Sequence, residues 1–170
     1  MDLSAERLRF VGMVRALPFL FALHNAEESL SMVEFSARHM AGFHSVTQVQ
    51  FLSALVLITG AAFFLCFMAT GRFGRGIWAY IPLWIQSILF FNAFSHIAIT
   101  IHSGEAAPGV YTAVLVNIPF TLVLFRGALR EGFATVKGAS WSAAAGLVLY
   151  VPVVLLSLGF GSLVERLSEF

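Results

Sequence analysis

His24, Glu27 and Glu28 place an imidazole and two carboxylates within one short stretch of chain. On an α-helix the i, i+3, i+4 spacing sets all three on one face, a turn apart. A stripe of this kind supplies two or three ligands to a single cation, as inward-facing helical motifs do in carboxylate-rich metal bundles. Farther along, Asn92 and His96 are spaced i, i+4 and share a face of a second helix. The chemistry this points to is a divalent metal, zinc or iron by ligand type, held by His24, by Glu27 or Glu28, and by His96. The glutamate not used as a ligand is then a general base toward water or substrate, and Asn92 orients His96 or the substrate, which makes Glu27, Glu28 and Asn92 the candidate catalytic residues. Zinc implies hydrolysis. A di-iron centre implies oxidation or desaturation, for which one H-x-x-E-E run and one further histidine offer few ligands.

These groups must be positioned by an apolar chain. Of 170 residues 59% are hydrophobic and only 11% charged, with a mean hydropathy of +0.87, whereas soluble domains carry about 25% charge. The net charge of +1 leaves no excess of basic residues to neutralise a nucleic-acid backbone. The lone Cys66 excludes an internal disulfide and a cysteine-based metal cluster. Apolar runs of bilayer-crossing length, about 20 residues, predict an all-α polytopic bundle over residues 1–170 as one domain. Its spans are expected at about 10–33, 51–69, 77–102, 110–125 and 142–160. The first is the contested one, because Arg15 interrupts it and His24, Glu27 and Glu28 fall in its second half. Four helices plus a cleaved leader is the competing reading. Arg15 and the lack of an A-x-A cleavage pattern count against it.

Five crossings place Arg7, Arg9, Arg15, Arg72, Arg75, Arg126, Arg130 and Lys137 on one side and only Arg38 and Arg166 on the other. The positive-inside rule then predicts the N-terminus inside and the C-terminus outside. The outer connection from Glu34 to Gln50, with Arg38, His39, Met40, Phe43 and His44, reads as a short amphipathic piece along the interface. The connections Thr70 to Gly76 and Ser103 to Gly109 are short and glycine-bearing. His24 lies about as far beyond Phe10 as Asn92 lies beyond Ile77, so at about 1.5 Å per residue the two polar faces are expected at one height in the outer half of the bilayer. His102, Tyr111 and Thr112 fall near that level, with Asn117 and Gln86 deeper. Gly60-Ala61-Ala62 and Ala143-Ala144-Ala145-Gly146 read as close-packing surfaces between helices.

At His24-Asn25-Ala26-Glu27-Glu28 the chain reads H-x-x-E-E and resembles the small integral membrane proteins named after that motif, the HXXEE family. Asn92 through His96, then Pro108-Gly109 and Thr112-Ala113, resemble that family's N-x-x-x-H stretch and its P-G-x-x-T-A run. The resemblance extends from about Leu20 to Pro119 and departs at Phe35, where a tryptophan is expected. It implies a bacterial polytopic membrane protein of undefined role, with a metal-binding or catalytic site at these polar positions.

Plainer readings exist for each group. The acids are interfacial and solvated at a helix end, although carboxylates near a helix C-terminus are disfavoured by about 0.3 to 1 kcal/mol each. Alternatively they pair with Arg15 or Arg38. Asn92 and His96 form a helix contact without chemistry, and His39 and His44 are solvated. For function, the first reading is a metal-dependent enzyme, hydrolase-like, whose partners are membrane lipids and a lipid or apolar substrate entering from the outer leaflet. Its rivals are a proton- or cation-coupled transport or binding protein, whose weakness is the lack of an inverted repeat, and a metal-stabilised membrane scaffold.

Overall fold

A computed structural model describes residues 3–40, 46–72 and 76–169, with side chains from residue 9 onward. Phe43, His44, Gly74 and Arg75 lie outside the described residues. The chain is all helical: α1 (Leu3–Ser29), α2 (Met32–His39), α3 (Gln48–Thr70), α4 (Ile81–Ser103), α5 (Val110–Arg130) and α6 (Val136–Ser168). Four of these, α3 to α6, are long and apolar enough to cross a membrane. Many of the large side chains they leave on the outside are apolar, among them Val56, Phe67, Val148 and Leu156. α1 has 27 residues, but its polar and charged groups keep it out of that apolar class.

The element ends explain where the sequence boundaries move. The first helix, expected to run to about Val33, stops at Ser29 and restarts at Met32. There the Ser29 hydroxyl donates to the Ala26 carbonyl at 2.8 Å, and the amides of Leu30 and Ser31 reach back only three residues, to Glu27 and Glu28. Gln48 then donates its side-chain amide to the freed Ser29 carbonyl at 3.1 Å. The third long helix begins at Ile81, after a 3-10 turn over Gly76–Ala79, because Pro82 suits a first turn and no later one. Both α3 and α6 outrun their expected spans and open on a threonine, Thr47 and Thr135, whose hydroxyls accept from the amides of Gln50 and Gly138.

α5 is not a uniform helix: Ala113–Asn117 is π-helical. Pro119 follows, and its ring and missing amide crowd the carbonyl four residues back, which a widened turn relieves. α6 lies against α3 and α4, where a side chain on Gly146 would strike Ser87, and one on Gly161 would strike the Gln50 backbone. The close-packing expectation therefore holds at Gly146, while Gly60 has open space around it. A central core joins Phe10, Val14, Leu17 and Phe21 of α1 to Cys66 of α3, Leu83 and Leu89 of α4 and Leu124 of α5. Phe10 also stacks on Phe133 at 4.7 Å, which fixes the start of α1 against the end of α5.

Candidate metal centre

α1 and α4 bring the two polar faces together. His24 is fully buried, and His96 is 2% and Glu28 7% exposed. Glu28 Oε1 stands 2.7 Å from His96 Nε2 and 3.4 Å from His24 Nε2. Asn92 Nδ2 sits between the rings, 2.9 Å from His24 Nε2, 3.0 Å from His96 Nε2 and 3.5 Å from Glu28 Oε1. One ligand atom from each of His24, Glu28 and His96 falls within 4.8 Å of the others.

The start of α5 completes the group. The Thr112 hydroxyl donates to the Gly109 carbonyl at 3.2 Å, so it accepts from His24 Nδ1, 2.7 Å away. This puts the His24 proton on Nδ1 and leaves the Nε2 lone pair aimed at Asn92 and Glu28, the arrangement that outer hydrogen bonds impose on metal-ligating histidines. Gly109 has φ +89°, and a Cβ there would lie 2.9 Å from Glu28 Cγ and from His96 Cε1, and 3.0 Å from His24 Cε1. Only glycine lets the backbone close over all three side chains. His96 Nδ1 is buried without a hydrogen-bond partner among the described residues.

The two glutamates, left as alternatives by their spacing, are sorted by geometry. Glu27 turns away from the group: its oxygens accept the backbone amides of Tyr111 at 3.2 Å and Thr112 at 2.8 Å. It caps the N-terminus of α5, where a carboxylate is favoured by the exposed amides and the helix dipole. Glu28 is the carboxylate that joins the histidines. Arg38 pairs instead with Glu105 at 3.4 Å, and His39 reaches the same carboxylate at 3.2 Å, so neither completes the group. His102 is exposed, as is the Tyr111 side chain. Asn117 and Gln86 form a separate, deeper node with Thr121, in which Gln86 Nε2 donates to Thr121 Oγ1 at 2.8 Å and to the Asn117 carbonyl at 3.3 Å.

Beside the group runs a cavity of about 360 Å³ between α1, α2, α3, α4 and α6. Glu28, Asn92 and His96 line it, together with Ser95 and Tyr150. The Ser95 hydroxyl donates to the Asn92 carbonyl at 2.7 Å, so in the 2.8 Å contact between Ser95 and Tyr150 it is the phenol that donates. Sequence reasoning passed over Tyr150. Its signal is a tyrosine in the middle of an apolar helix, away from the interfacial belts where that residue is common. Asn25 was also passed over; it lines the cavity and donates to Thr59 Oγ1 at 2.6 Å.

The donor set fits a divalent cation: two imidazoles and one carboxylate, with a cavity wall on the fourth side, match an open three-ligand site. Ligands held about 2.0 to 2.2 Å from a tetrahedral zinc stand about 3.3 Å apart, close to the 3.4 Å between His24 and Glu28. The closer His96–Glu28 pair would have to part by about half an ångström.

Comparison with known proteins agrees with this layout. Residues 15–124 match the family model described as a protein of unknown function with HXXEE motif. Every residue of the group falls within that match. The chain is also similar to the uncharacterized protein YrkK of Bacillus subtilis (strain 168), 28% identical over 142 residues, which cover 82% of this chain and 86% of that protein. No solved structure matches.

Proposed function

Because the chain belongs to the HXXEE family, to which no function is assigned, we propose from its geometry a membrane-embedded, metal-dependent hydrolase acting on a lipid or another apolar substrate. The observation that carries this reading is the convergence of His24, Glu28 and His96 at the polar side of an otherwise apolar cavity. A bound Zn²⁺ would supply a Lewis acid there for a substrate carbonyl. His24 and His96 would hold it through their imidazoles, and the Glu28 carboxylate would help hold it and take a proton from water. Asn92 positions both rings, and Tyr150, whose phenol donates to Ser95, borders the same space. Hydrolysis adds water across an acyl bond to give an acid and an alcohol, so no electron donor is required. The basic residues at the end of the bundle formed by the start of α1 and the ends of α3 and α5 support an inner-membrane orientation with that end cytoplasmic and the group in the outer half.

A second reading draws on the 2.7 Å contact between Glu28 and His96, which closes a hydrogen-bonded network with Asn92 and needs no ion. Such a network suits a proton-carrying site in a transport protein. Metal analysis separates the two. Protein purified in detergent without added metal is expected to carry near-stoichiometric zinc or iron, lost in His24→Ala, Glu28→Ala and His96→Ala. Folded, metal-free wild-type protein would reject the hydrolase reading in favour of the proton network.

A further inference from the structure

The cavity has a shape as well as a chemistry. Its wall on α3 runs from Phe51 to Leu65, and on α4 from Ile85 to Ile99, each about 21 Å at 1.5 Å per residue. A volume of about 360 Å³ spread over that length is an elongated space that an extended hydrocarbon chain can follow. The ionisable residues are not at an end. Asn92 lies midway along the α4 wall, flanked by His96 and Ser95, with Glu28 and Tyr150 from two other helices. Toward the inner arm the wall is Ile85, Ile88 and Leu65; toward the outer arm it is Met32, Val33 and Ile99. An elongated, mainly apolar cavity with its ionisable belt at the middle matches a linear molecule whose one polar group lies inside the chain.

We infer that the cavity binds a single linear acyl ester, extended along the helix axes, with its ester carbonyl at the Glu28, His96 and Tyr150 belt and one hydrocarbon arm on either side. This rests on the hydrolase reading for the fate of the ester, but the binding geometry stands independently of it. A free fatty acid carries its polar group at a terminus and would leave one arm unfilled.

Octyl octanoate, with an arm on each side of its carbonyl, and octyl acetate, with one, test this in detergent-solubilised full-length protein by equilibrium binding, with metal content measured on the same samples. Wild type should bind both. Leu65→Trp fills the inner arm and Met32→Trp the outer one. Each variant should weaken octyl octanoate at least tenfold and spare octyl acetate, which can turn its single arm to the open side. Ile85→Phe and Val33→Phe serve the same ends where a tryptophan variant fails to fold. No binding of octyl octanoate by wild type, or equal weakening of both esters by both variants, would overturn the inference. Arm-selective binding by protein that carries no metal would uphold the ester geometry and remove the hydrolase reading alone.

Discussion

Two of the buried polar nodes among the described residues differ in kind. The one on the α2 side, outer in the proposed orientation, is His24, Glu28, Asn92 and His96; it is ionisable, draws on α1 and α4 and faces a cavity. The inner one, Gln86, Asn117 and Thr121, is neutral and joins α4 to the π-helical stretch of α5 by hydrogen bonds among its own members. Interhelical bonds of the second type are worth on the order of 0.6 kcal/mol each and serve packing. Charged groups of the first type cost at least about 2.5 kcal/mol in hydrocarbon, so they persist only where they are paired or put to use. The contrast shows that buried polarity alone does not mark a site; convergence of ionisable atoms beside open volume does.

The sharpest way to break this contrast is Gly109→Ala. Its φ of +89° and the contacts at 2.9 Å with Glu28 and His96 predict a loss of about 3 kcal/mol from backbone strain and overpacking combined. Thermal melting in detergent should fall accordingly, with metal content reduced; a neutral result would mean that the loop does not close over the group. Next comes Thr112→Val, which removes the oxygen that fixes the His24 ring. Competitive chelator titration should show metal affinity falling by about 10- to 100-fold with the fold retained, and an unchanged affinity would deny Thr112 its positioning role. Glu27→Gln keeps hydrogen-bond acceptance at the start of α5 and loses the charge, so stability should drop by under about 1 kcal/mol while metal stoichiometry holds. A loss of metal in that variant would return Glu27 to the ligand set. The smallest effect belongs to the inner node: Thr121→Val should cost about 0.6 kcal/mol and leave the outer group untouched, and a change in metal content would show the two nodes to be coupled.

Much of the outer node was legible because helical spacing is a strong constraint. His24 with Glu28, and Asn92 with His96, are i, i+4 pairs, and their matched depth pointed to one another before any packing was known. What spacing left open was the choice between the glutamates. Measured around the helix from His24, Glu27 and Glu28 lie on opposite sides of it, about 100° apart. Which side meets α4 and which meets α5 is a matter of tertiary packing. The π-helical stretch escaped for a similar reason, since Pro119 announces a disturbance but not its form. Tyr150 escaped because one phenol in a long apolar run acquires meaning only when Ser95 is found opposite. The break at Leu30 was hidden because the apolar pattern continues through it, while the hydroxyl of Ser29 and the side chain of Gln48 end the helix locally.

α6 has 33 residues, about 50 Å of helix against roughly 30 Å of hydrocarbon. Gly161 is pinned against the Gln50 backbone at the head of α3, and the Thr47 hydroxyl donates to Glu165 at 2.6 Å. The surplus therefore reaches the head of α3, where Glu165 is held, and runs on through Arg166 to Ser168. Hydrophobic mismatch then becomes a property of the whole molecule. A thinner bilayer would be met by greater tilt of α6, and because Gly146 seats that helix on Ser87 of α4, the tilt would be felt along the helix that carries Asn92 and His96.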